Sequence, residues 1–123
     1  MATSDNVVRA GLTPKLRDSP TLIAMLTYAV REPKPLQGER VAPGVVSYVP
    51  PVPDFQMEVC LAKGELAVPA HDSACVGIVT DGSGTVNGVA VGPGSSIFVP
   101  CKTALAMHGN LTLFLASANS RNL

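Results

Sequence analysis

Apolar and polar residues change their spacing several times along this chain, and each change predicts a different kind of element. The Val7-Val8 pair, bounded by Asn6 and by Gly11 with the Thr13-Pro14 turn beyond it, predicts a short strand over residues 6–11. A helical pattern follows. Ser19 stands where an N-cap is wanted and Pro20 where a fixed φ suits the first turn, and Leu22, Ile23, Met25 and Leu26 form an apolar stripe reaching about Tyr28. From Arg31 to Pro53 the chain is rich in Pro, Gly and charge, with one β-like run, Val45-Val46-Ser47-Tyr48, and reads as a linker over a surface.

After Asp54 the pattern becomes that of short strands separated by turn residues. The predicted strands are Phe55 to Leu61, Cys75 to Thr80, Thr85 to Val91, Ser96 to Val99 and Leu111 to Ser117. Glycines in Thr80-Asp81-Gly82-Ser83-Gly84-Thr85 predict a hairpin, and Val91-Gly92-Pro93-Gly94 predicts another turn. The expected division is thus 1–30 (strand and helix), 31–53 (linker) and 54–123, an all-β barrel or sandwich.

Composition narrows the classes. With 123 residues, 46% of them hydrophobic and 15% charged, the chain has room for one modest folded domain. Formal charge is zero and no stretch gathers Lys and Arg, so neither nucleic acid nor a membrane surface is expected as a partner. No apolar run approaches the roughly 20 residues that span a bilayer, and the opening residues lack a signal peptide's basic and apolar regions, which makes a cytoplasmic location the expectation. Cys60, Cys75 and Cys101 have no CxxC spacing and are expected to pack as small hydrophobes. His71 and His108 fall in separate expected loops with no carboxylate or second His at ligand spacing, and read as surface or turn histidines. Gly82-Ser83-Gly84 is not followed by a helix or a Lys-Ser/Thr pair, so a phosphate loop is not expected there.

A strand, a Gly-Ser-Gly hairpin, a strand and a Pro-Gly turn into Ser96-Ile97-Phe98-Val99-Pro100 resemble the second motif of cupins. Metal-binding cupins place a His soon after this Pro, where here Cys101-Lys102-Thr103-Ala104-Leu105 stands, and the paired His of the first motif is absent around Cys75. The resemblance is to a degenerate, metal-free cupin-like (jelly-roll) barrel. The N-terminal block is more specific. Ser4-Asp5-Asn6-Val7-Val8-Arg9-Ala10-Gly11-Leu12-Thr13-Pro14-Lys15, then Leu22 and Met25-Leu26-Thr27-Tyr28, closely resemble type I mannose-6-phosphate isomerases, and Pro51-Val52-Pro53-Asp54-Phe55 resembles that family's entry into its last β domain.

The resemblance implies a zinc-dependent cytosolic isomerase that interconverts mannose 6-phosphate and fructose 6-phosphate, a step linked to GDP-mannose biosynthesis. It places the zinc ligands upstream of the block that begins this chain, so no metal ligand is expected here. Residue by residue, it lays the family's active-site arginine on Arg9, an acidic residue implicated in catalysis on Asp5, and a phosphate contact on Lys15. Their types suit the chemistry. Moving a proton between C1 and C2 passes through an enediolate, whose charge needs a fixed cation or metal nearby, and a carboxylate can assist ring opening or orient a proton carrier. The expectation is a C-terminal part whose missing N-terminal part supplies the zinc, inactive alone. The alternatives are a cupin-like binding module for a sugar phosphate or for dimerisation, and a subunit that complements a separate N-terminal fragment.

Overall fold

The computed structural model describes residues 7–119, which fall into two compact units divided between Pro35 and Leu36. Within the first unit the strand predicted over residues 6–11 does not form: residues 7–10 have no regular structure, and among the described residues no strand pairs with them. A β-like pair of valines becomes a strand only when a neighbouring backbone completes its ladder. The predicted helix does form, as α1, Ser19–Met25. Its cap is Asp18 rather than Ser19. One carboxylate oxygen of Asp18 accepts from the Thr21 N–H (3.1 Å) and the other from the Thr21 hydroxyl (2.7 Å), leaving Ser19 and Pro20 inside the first turn. These two bonds hold the Asp18 carboxyl below its usual pKa. Leu26 is already extended, so the helix stops short of Tyr28, and none of its residues is buried.

The second unit is a sheet of seven strands: β1 (Glu39–Ala42), β2 (Val45–Tyr48), β3 (Gln56–Val68), β4 (Cys75–Val86), β5 (Val89–Val91), β6 (Ser96–Val99) and β7 (Leu105–Ser117). Every pairing is antiparallel, in the order β1-β2-β3-β7-β4-β5, and β6 lies against the first half of β4. The mostly β, cupin-like architecture is present, but the sheet is open where a closed barrel was expected, because among the described residues β1 and β5 find no second partner. The stretch expected as linker carries β1 and β2, and the β-like run at Val45 is indeed a strand. Pro43-Gly44 turns the chain between them, with Gly44 at φ +77°.

The largest departure lies in β4. The hairpin predicted over Thr80–Thr85 is absent, and β4 runs unbroken through Asp81-Gly82-Ser83-Gly84. The chain reverses instead at Asn87-Gly88, both at positive φ (48° and 81°), between the paired Val86 and Val89. That is the two-residue turn whose twist matches its strands. The Gly-Ser-Gly segment serves close approach. Gly84, Gly109 and Gly64 lie side by side across β4, β7 and β3; Gly109 sits at φ +112°, and a Cβ there would stand 2.6 Å from the Ser83 carbonyl oxygen. A register shift between Val79 and Asp81 swaps which residues of β4 face inward, from Cys75, Gly77 and Val79 before it to Val86 after it.

The core is drawn from the inward positions: Val45, Cys60, Ala62, Val79, Met107, Leu111, Leu113 and Leu115 all lie within it. Leu113 and Leu115 fill the space over Gly77, where an added Cβ would meet their Cδ1 atoms at 2.9 and 3.1 Å. Outward positions are also apolar. Tyr48, Met57, Ala116, Val76 and Phe98 form one row across five strands, and Val76 and Phe98 remain 59% and 69% exposed.

Candidate functional site

Arg9 and Lys15, the two described residues singled out by the resemblance, belong to one loop of the first unit. The Asp18 N–H donates to the Arg9 carbonyl oxygen (2.7 Å) and closes that loop, while the Lys15 N–H donates to Thr13 Oγ1 (3.2 Å). Arg9 is half-buried and Lys15 exposed. Leu12, between them, sits at φ +52°, an unusual conformation for a branched residue, which sharpens the bend. The loop thus carries Arg9 where it opens and Lys15 before it closes at Asp18. Asp5 lies outside the described residues.

A second polar constellation, in the sheet, departs from the sequence reading. His71 is not a plain turn histidine: its Nε2 lies 3.0 Å from Glu58 Oε2, with the two side chains only 14% and 7% exposed. The hydrogen bond from the imidazole to the Glu58 carboxylate raises the His71 pKa, burial opposing it. His108 lies within β7 rather than in a loop, and its Nδ1 is 3.6 Å from Glu65 Oε1 at an exposed site. The missed signal was in the alternation of β3: Gln56, Glu58, Cys60 and Ala62 share its buried face, and a carboxylate at such a position requires a partner.

Glu58 also helps to shape the thiols around it. Burial, followed by the charge of Glu58, pushes the Cys60 thiol up to about 12 and raises that of Cys75. Both cysteines pack in the core as expected, whereas Cys101 is exposed, one residue beyond β6 and Pro100. Beside the Glu58–His71 pair is a cavity of about 300 Å³ lined by Val41, Gln56, Glu58, Pro69, Ala70, His71 and Asp72. No group of three or more His, Cys, Asp or Glu among the described residues is placed to hold a metal ion, so these residues do not fit a zinc centre. No helix among them is long and apolar enough to cross a membrane.

No protein-family model matches the chain. Mannose-6-phosphate isomerase 2 of Arabidopsis thaliana is 40% identical across 98% of this chain, and the Homo sapiens mannose-6-phosphate isomerase is 43% identical across 68% of it. Among solved structures, a point mutant of phosphomannose isomerase from Salmonella typhimurium superposes with a TM-score of 0.76 at 28% identity, covering 96% of this chain. The open antiparallel sheet with its two-sided apolar faces is accordingly a cupin-like β domain. The chain belongs to the mannose-6-phosphate isomerase family and corresponds to the C-terminal part of its members. It spans only 30% of the length of the Arabidopsis relative and 32% of the Salmonella chain.

Proposed function

We propose that this chain is the C-terminal part of an enzyme interconverting mannose 6-phosphate and fructose 6-phosphate, with Arg9 as the fixed cation beside the reacting carbons. The observation that supports this most is the 40% identity with the Arabidopsis relative, which runs through the loop bearing Arg9 and Lys15 and into the sheet. In this reading the proton passes between C2 and C1 of the open-chain sugar through an enediolate. The Arg9 guanidinium, charged at any working pH and offering a rigid fork of donors, stabilises the oxyanion as its charge develops. Asp5 assists ring opening or orients the proton carrier, and Lys15 contacts the phosphate. Zinc is the metal of this reading, held by the upstream part, and the reaction takes place in the cytoplasm as a step linked to GDP-mannose biosynthesis.

The test is a chimera in which this chain replaces the matching C-terminal part of the Arabidopsis enzyme, assayed for fructose 6-phosphate formation beside the 123-residue chain alone. Turnover by the chimera and none by the chain alone is the expected result. A soluble, zinc-loaded chimera without turnover would sink the functional reading, and turnover by the chain alone would sink the division of labour between the parts.

A further inference from the structure

The outward side of the sheet leaves a broad apolar surface open to water. Beside the row from Tyr48 to Phe98 runs a second one in register, Val46, Val59, Phe114, Ile78 and Ser96, across the same five strands. An antiparallel sheet with one free face usually turns polar residues to water there, yet in these two rows only Ser96 lacks a largely apolar side chain. Val76, Ile78 and Phe98 are 59%, 46% and 69% exposed, and the remaining apolar members are half-buried. With Phe55 and Leu61, which continue the face along the line of β3, the open surface is on the order of 700 Å². Monomers usually leave only a few hundred Å² in one patch, and a standard interface covers about 800 Å² on each partner.

Charges stand at the margin of this face, Arg40 opposite Val46 on the edge strand and Asp81 opposite Thr112, which is the arrangement of a dry centre with a polar rim. Residue sizes identify what fits against it. At β2, β7 and β6 the row containing Val46, Phe114 and Ser96 runs small, large, small, while the row containing Tyr48, Ala116 and Phe98 runs large, small, large. Each row is therefore the complement of the other. A two-fold axis crossing the strands between the rows sets each row of one copy on the complementary row of a second copy, so that the two layers interdigitate. An axis along the strands would instead set Phe114 on Phe114 and Ala116 on Ala116, crowding beside a void.

We infer that this face is a self-association surface, on which two copies of the chain pack outward side to outward side about that axis, Phe114 of each lying over Ala116 of the other. The contact is sheet on sheet, as between the layers of a sandwich, and it closes at two copies because the same patch serves both. Phe98 and Ile78, the exposed members nearest β6 and β4, lose the most water on pairing. Nothing in this inference depends on the isomerase reading.

Sedimentation equilibrium of the 123-residue chain at about 100 μM tests it, with a species of twice the 12.7 kDa monomer as the expected result. Phe98→Glu and Ile78→Glu, both at exposed positions, should each raise the dimer Kd by about 100-fold or more while urea midpoints show the chain still folded. Val89→Glu, equally exposed but on the edge strand β5 outside the two rows, should leave the Kd unchanged. In a mixture of isotope-labelled and unlabelled copies, filtered NOEs should connect the Phe114 ring of one copy with the Ala116 methyl of the other. A monomer at that concentration overturns the proposal, including the case in which the face is covered only in the chimera, by the upstream part. So does a dimer that survives both Glu substitutions on the face, one that is lost in Val89→Glu, or one whose filtered NOEs join Phe114 to Phe114 instead.

Discussion

The two units of this chain are built on opposite principles. In the second, long strands pair along their whole length and enclose a core that includes Val45, Cys60, Val79, Met107 and Leu113, each completely buried. In the first, no described residue is buried, and α1 exposes Ile23 (59%) and Met25 (60%) to water. Even the strained backbone differs. In the second unit, positive φ falls mostly on glycines, with Asn87 and Lys102 as the exceptions, whereas among the described residues of the first unit it falls on Leu12 and Tyr28. A helix of seven residues is too short to be stable by itself, and the first unit's hydrogen bonds at Arg9, Asp18, Thr21 and Tyr28 are all local. Stability and proposed chemistry thus reside in different stretches: the sheet can specify itself, while the loop bearing Arg9 is local structure held by a few hydrogen bonds.

That contrast can be broken or sharpened by experiment. The largest effect is expected at the glycine row: Gly109→Val forces a branched side chain into φ +112° against the Ser83 carbonyl and should destabilise the sheet by about 4 kcal/mol or more, whereas Gly11→Ala, with open space around it, should stay within about 0.5 kcal/mol. Urea midpoints of the two variants measure this directly. Next, Leu113→Ala should cost about 3 kcal/mol and Ile23→Ala under about 0.5 kcal/mol; comparable losses would mean that the first unit has a core of its own. In the chimera with the Arabidopsis enzyme, Arg9→Ala should lower kcat/KM by about 100-fold, and His71→Gln should leave it within about twofold. The reverse pattern would move the chemistry into the sheet.

The smallest expected effect is a pH dependence confined to the sheet. The folded state raises the His71 pKa, so its pair with Glu58 contributes fully below the unfolded value of about 6.5, and the contribution fades as pH rises through the higher folded value. Unfolding free energies measured across that window should fall with rising pH in the parent and lose that component in His71→Gln. An identical slope in both would remove the pair from the stability of the sheet.

How much of this was legible beforehand depended on which neighbours each residue has. Ser96–Val99, the run at Val45 and the Gly92-Pro93-Gly94 turn could be read because their signals are local; the turn is closed by the Ser95 N–H donating to the Gly92 carbonyl oxygen. The Asp81-Gly82-Ser83-Gly84 run misled because glycine serves tight turns and tight strand contacts alike, and only the register with Asn110 and Gly109 separates the two. Asn87-Gly88 between Val86 and Val89 carried the stronger hairpin signal. Strand β3 continued past Leu61, through Lys63-Gly64-Glu65, because β7 pairs with it along its length. His71 could not be matched with Glu58 from sequence, since the turn that follows β3 brings them together. Arg9 and Lys15 were identified by resemblance alone, because nothing in their local spacing distinguishes them from solvated cations.

Strand β7 has one further consequence, for the order of events on the ribosome. Of the seven described strands it is the last to be synthesised, yet it lies between β3 and β4 and hydrogen-bonds to both. The β1–β2–β3 meander and the β4–β5 hairpin can form as they emerge, but each must wait with an unpaired backbone edge until Leu105 to Ser117 is free of the exit tunnel. Gln56 then finds Ser117 from across most of the sheet's sequence, a closure of high contact order and correspondingly slow. During that interval the nascent chain offers two adhesive edges. How long those edges stay open is set by the arrival of β7 and not by the stability of the finished sheet.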